Sequence, residues 1–143
     1  MTSKLRTASW ILLLIVGLLA LVGAIGSANL AYRGMFPIGG VSISDIAMSR
    51  EAVLSGLRGA RGTAAAWAAA WAVLFVAAVV GPYRRGDVAT WWGILVSALV
   101  LCVIAWARQP LVGASAGTGE PLALFTVVVV ALLLDVARLR KAR

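Results

Sequence analysis

The sequence predicts an all-α integral membrane protein. The expected fold is a four-transmembrane-helix bundle, with an interfacial helix or re-entrant segment between helices 1 and 2. Two observations carry this reading. Of 143 residues 62% are hydrophobic and only 13% are charged, about half the charge a soluble domain uses to cover its surface. The few charges are also segregated, leaving none between Arg6 and Arg33, between Arg61 and Arg84, or between Asp87 and Arg108. The composition excludes a disordered chain, a collagen-like repeat and a disulfide scaffold, and the length allows one domain, residues 1–143.

Each uncharged run holds about the 20 apolar residues that a bilayer core needs. The expected spans are residues 10–29, 63–81 and 88–107, with a fourth at 121–139. The fourth carries Asp135, which can pair with Arg138 one turn on, near the membrane edge. Lys4 and Arg6 ahead of the first run, with Gly26-Ser27-Ala28 after it, have the outline of a signal peptide. The apolar run exceeds a typical h-region, so a retained anchor is expected.

Residues 31–62 form the one long loop. Tyr32 through Gly40 mixes turn formers with large apolar residues and is expected to lie at the membrane interface. Ser42-Ile43-Ser44-Asp45 reads as a capping box with Asp in place of Glu. Beyond it Ile46, Val53, Leu57, Ala60, Ala64, Trp67, Trp71 and Leu74 recur with a nearly helical period. One helix over all of this would exceed 50 Å at 1.5 Å per residue. A bend is therefore expected at Gly56, Gly59 and Gly62.

Basic residues set the orientation. Lys4, Arg6, Arg84, Arg85, Arg138, Arg140, Lys141 and Arg143 fall on one side. Arg33, Arg50, Arg58, Arg61 and Arg108, offset by Asp45, Glu51 and Glu120, fall on the other. The positive-inside rule then puts both termini in the cytoplasm and loop 31–62 outside. The net charge of +8 is read as attraction to anionic membrane lipids, not to nucleic acid, because no basic and aromatic surface of the soluble kind is present.

Several chemistries lack their residues. There is no histidine and only one cysteine, Cys102, so histidine-based metal, haem and Ser-His-Asp sites and CxxC redox pairs are excluded within this chain. No metal or cofactor is expected, and Cys102 reads as a small buried hydrophobe. Packing is assigned to small-residue stripes: Ala20, Ala24 and Ala28; Gly62, Ala66 and Ala70; Gly93 and Ser97. Trp10, Trp91, Trp92 and Trp106 read as interfacial anchors. Trp67 and Trp71 read as core residues or a pocket wall.

The polar groups that call for explanation gather at one predicted depth. Arg58 and Arg61, spaced i,i+3, enter the second span on a shared face. Arg108 closes the third span, Glu120 opens the fourth, and Asn29 and Tyr32 end the first. Ionisable groups at this depth are costly, which makes them candidates for function. Three arginines against one glutamate suit a carboxylate, phosphate or polarised carbonyl on an otherwise apolar molecule. Snorkelling arginines and an Arg108–Glu120 interfacial pair are the structural reading of the same residues.

Leu57-Arg58-Gly59 at the second span, Arg108 ending the third and Gly119-Glu120-Pro121 opening the fourth resemble small bacterial four-helix membrane proteins of the DoxX-like kind. The resemblance implies the fold and a bacterial cytoplasmic membrane; members are often accessory subunits or uncharacterised. Small multidrug-exporter-like proteins share the size and span count, but carry a carboxylate in the first helix that is missing here. Three functions follow as expectations. The first is binding or transport of an amphipathic anionic or carbonyl-bearing molecule at Arg58, Arg61, Arg108, Glu120, Asn29 and Tyr32, with transport requiring a homo-oligomer. The second is an accessory or assembly subunit of a larger membrane complex. The third is an acid-base isomerase or cyclase acting on a lipid-like substrate with Glu120 as the catalytic group.

Overall fold

A computed structural model describes residues 2–38, 40–48, 50–112, 119–137 and 139, with the side chains of 2, 3, 108–112 and 119–121 outside that description. The elements in order are α1 (Thr2–Tyr32), a two-residue strand pair β1 (Pro37–Ile38) and β2 (Val41–Ser42), α2 (Ile43–Ala47), α3 (Glu51–Ala78), a π-helical turn (Val79–Tyr83), α4 (Val88–Val112) and α5 (Gly119–Leu134). Among the described residues three helices are long and apolar enough to cross a membrane: Lys4–Tyr32, Glu51–Tyr83 and Val88–Ala107. The uncharged runs lie within them. α5 differs from the expectation of a span at 121–139. Its 16 residues rise about 24 Å, short of a ~30 Å hydrocarbon core. After Leu134 the ladder tightens to i→i−3 bonds, from Asp135, Val136 and Leu139 to Leu132, Leu133 and Val136.

The chain forms two compact units. The first comprises residues 1–17 and 75–143. Its buried apolar side chains among the described residues are Leu13 and Val16 of α1, Phe75, Val79 and Tyr83 from the end of α3 and the π turn, Trp91, Ile94 and Ala98 of α4, and Val128, Ala131 and Leu132 of α5, with Ser9 and Asp135 the buried polar ones. Gly17 lets α1 approach α3: a Cβ there would lie 2.7 Å from Val76 Cγ2 and 3.0 Å from Phe75. Trp91, expected as an interfacial anchor, is instead 5% exposed and donates its indole N–H to the Leu132 carbonyl at 3.2 Å. A buried indole N–H needs such an acceptor. Gly93 is exposed with open space around it, so Trp91, Ile94 and Ala98, not a Gly93–Ser97 stripe, form the buried face of α4. Cys102 is half-buried.

The expected second span ends at residue 81, and Pro82, which follows, has no N–H to continue an α ladder. The helix instead absorbs Pro82 in the π turn, where the Arg84 N–H reaches back to the Val79 carbonyl. This carries Tyr83 to a fully buried position, where its hydroxyl shares a 2.6 Å hydrogen bond with the buried Ser9 Oγ. Gly86, at φ 105°, then turns the chain. Asp87 caps α4 by accepting from the Thr90 N–H at 2.8 Å, as short polar side chains do at helix starts.

The second unit is residues 18–74. α1 ends there in a Schellman motif. Gly34, at φ 73°, donates to Ala31 O at 3.0 Å, and Met35 donates to Leu30 O at 2.9 Å, which satisfies carbonyls the helix end leaves open. β1 and β2 pair antiparallel in the register Pro37↔Ser42 and Ile38↔Val41. Half of the expected Ser42–Asp45 capping box is present: Ser42 Oγ accepts from the Asp45 N–H at 3.2 Å and donates to Asp45 Oδ2 at 2.7 Å. Asp, one methylene shorter than Glu, bonds the cap hydroxyl and not the cap backbone.

At Gly56, Gly59 and Gly62, where a bend is expected, the helix is continuous. α2 closes at Met48, which takes a left-handed conformation at φ 46°, and α3 then runs unbroken through all three glycines. The stripe assignment on α3 also changes. Gly62, Ala65 and Ala72 are buried and Ala69 is half-buried, whereas Ala66 and Ala70 are exposed. Trp67 is 75% exposed and Leu74 71%, so Trp67 is neither core nor pocket wall within this unit.

Candidate functional site: an arginine face beneath residues 32–36

Three contacts tie residues 32–36, at and just after the end of α1, to residues 58–62 of α3. The Tyr32 ring lies on Gly62, where a Cβ would meet Tyr32 Cε1 at 2.6 Å. The Arg58 guanidinium lies against Gly34, where a Cβ would stand 2.8 Å from Nη2 and 3.3 Å from Nε. The Arg61 guanidinium carbon sits 4.7 Å from the Phe36 ring centroid, within cation–π range. Gly34 thus has two roles, a backbone conformation that other residues rarely adopt and a bare surface for a planar cation. Phe36 and Gly34 are fixed in turn by Ile43 N–H and Ser44 N–H, which donate to their carbonyls at 3.1 and 3.2 Å.

Arg58 is the chemically open member of this group. Its Nε is buried and no described residue accepts a hydrogen bond from it. A guanidinium N–H removed from water without an acceptor costs more than a satisfied one, and it keeps the directional strength to bind an anion in a fork. Arg58 also lines a cavity of about 260 Å³ with Glu51, Leu54 and Ser55. These residues fall at i, i+3, i+4 and i+7 along one face of α3. Glu51 puts a carboxylate two turns from Arg58, so the cavity has an acidic and a basic end.

Of the expected site residues, the structure brings together Tyr32, Arg58 and Arg61. Tyr32 contributes packing against Gly62 and is 61% exposed. Asn29 is exposed, and its backbone carbonyl accepts from the Arg33 N–H at 3.1 Å. Arg108 lies in α4 and Glu120 in α5, both in the other unit, and their side chains lie outside the described residues, as does the expected Arg138 partner of Asp135. Sequence reasoning missed Gly34, Phe36 and Glu51 as site residues. Gly34 following a helix that ends in Tyr32-Arg33 was the available signal for a C-cap; nothing marked Phe36 as the partner of Arg61.

No known protein family, curated protein or solved structure matches this chain.

Proposed function

We propose that this chain is a multi-pass protein of the bacterial cytoplasmic membrane that binds an amphipathic anionic or carbonyl-bearing small molecule through Arg58. The buried, acceptor-free Arg58 Nε carries this reading. Arg61 adds positive charge from its seat on Phe36, and Leu54 offers an apolar wall beside the cavity. In the same proposal α5 and the turns that follow it make a fourth span, both termini are cytoplasmic, and residues 31–62 face the outside. The DoxX-like outline belongs here too; its Leu57-Arg58-Gly59 motif coincides with the arginine face. Transport would require a homo-oligomer, because four helices enclose too narrow a path.

The test uses dodecanoate and the uncharged dodecanol as probes, on protein in phosphatidylcholine nanodiscs. Losing a charge-assisted hydrogen bond costs about 1.5–3 kcal/mol, so Arg58→Gln is expected to weaken dodecanoate binding at least tenfold and leave dodecanol unchanged. Equal dodecanoate affinity in wild type and variant overturns the proposal. A stoichiometric protein partner recovered from wild type that shows no probe affinity replaces it with the accessory-subunit reading.

A further inference from the structure

A second basic group lies in the first unit. Arg6 Nη2 donates to the Arg84 carbonyl at 2.6 Å, and the Arg84 guanidinium carbon stands 4.9 Å over the Trp10 ring. Arg85 follows directly, and Lys4, Arg6, Arg84 and Arg85 are all exposed. Gly86, at φ 105°, leaves room for Arg6: a Cβ there would lie 3.3 Å from Nη2. The Arg6 bond satisfies one open carbonyl at the helix end, and Trp10 stacking fixes the plane of Arg84 while leaving its N–H edge clear. Neither the Arg84 nor the Arg85 guanidinium has a hydrogen-bond or ion-pair partner among the described residues. The carboxylate in this segment, Asp87, is engaged with Thr90.

Apolar surface adjoins these cations. Val80, one turn before Arg84 on the side of the apolar span, is exposed. Trp10 and Arg84 therefore mark the level at which a helix pair passes from an apolar surface to a cationic one, a pattern that fits the two parts of a phospholipid. We propose that Arg6, Arg84 and Arg85, ordered by Trp10, form a binding site for the phosphate of an anionic membrane lipid, whose acyl chain runs along Val80. The site is independent of Arg58 and of the ligand proposed there.

Native mass spectrometry of protein released from nanodiscs of equal phosphatidylglycerol and phosphatidylcholine tests this. A juxtamembrane Arg contributes about 1 kcal/mol toward an anionic lipid, near fivefold. Wild type is expected to retain phosphatidylglycerol selectively. Arg84→Gln and Arg85→Gln each lower that selectivity about fivefold, and Arg50→Gln, which removes an exposed arginine elsewhere, leaves it intact. Among the described residues Arg85 has no hydrogen-bond or ion-pair partner, so its variant keeps the test valid if Arg84→Gln does not fold. Unchanged selectivity in Arg85→Gln, or an equal loss in Arg50→Gln, overturns the proposal. Inorganic phosphate displacing the lipid at equal concentration would assign the site to free phosphate and overturn it as well.

Discussion

Replacing Gly34 by alanine perturbs the Arg58 site without touching an arginine. The residue sits at φ 73°, and an L-residue in the left-handed region costs about 1–2 kcal/mol. The new methyl would also stand 2.8 Å from Arg58 Nη2, about 0.7 Å inside a 3.5 Å contact. Gly40 is the internal control. Its φ is 85°, but a Cβ there meets nothing within 4 Å, so Gly40→Ala carries the backbone cost alone. SDS titration in mixed micelles is expected to show both variants destabilised by about 1–2 kcal/mol. Because the flexible end of Arg58 can swing aside, the steric term falls on the site and not on stability. Dodecanoate affinity should then drop about tenfold or more in Gly34→Ala, the loss of one charge-assisted bond, and stay at the wild-type value in Gly40→Ala. The reasoning is refuted if Gly34→Ala binds like wild type, or if Gly40→Ala loses affinity to the same degree.

Gly56 and Gly59 lie inside α3 with nothing within 4 Å of an added Cβ; alanine at each should stabilise by up to about 1 kcal/mol, and a destabilisation would show that the glycines serve a bend after all. Tyr83→Phe leaves the Ser9 hydroxyl buried without its 2.6 Å partner and should cost about 1–3 kcal/mol. Adding Ser9→Ala should return part of this, so a double-mutant cycle with no coupling would contradict the bond. Glu51→Gln removes a carboxylate about 10 Å along α3 from Arg58. At aqueous dielectric its repulsion of a carboxylate bound at Arg58 is worth about 0.4 kcal/mol, so dodecanoate should bind about twofold tighter in nanodisc titrations at low salt.

The long helices were legible because charge placement is a coarse and strong signal. Three uncharged runs became three helices of at least 20 residues, and Ser42 and Asp45 announced their cap through chemistry confined to four residues. On α3 packing was assigned to small residues, but in the wrong register: Ala66 and Ala70 are exposed, as are Trp67 and Leu74, large apolar residues at helical spacing. Gly62, Ala65 and Ala72 are the ones packed inside. In water the apolar stripe marks the core, whereas in lipid small residues let backbones approach and bulky ones meet the acyl chains.

The remaining misreadings came from single backbone positions. The chain breaks at Met48, a left-handed residue that no propensity favours, and not at the glycine triplet. The expected span stopped at residue 81, short of the π turn that carries Tyr83 to Ser9. In the candidate site, the i,i+3 spacing of Arg58 and Arg61 was readable, whereas their partners Gly34 and Phe36 depend on how the chain folds back after α1.

The most direct measurement follows the Arg58 Nε–H resonance by NMR of ¹⁵N-arginine-labelled protein in nanodiscs, identified by its absence in Arg58→Lys. On dodecanoate addition, the Arg58 signal should move with saturation, while the signal lost in Arg50→Lys stays in place. An Arg58 signal that does not move, or one that moves equally with dodecanol, would contradict an anion-binding role for this arginine.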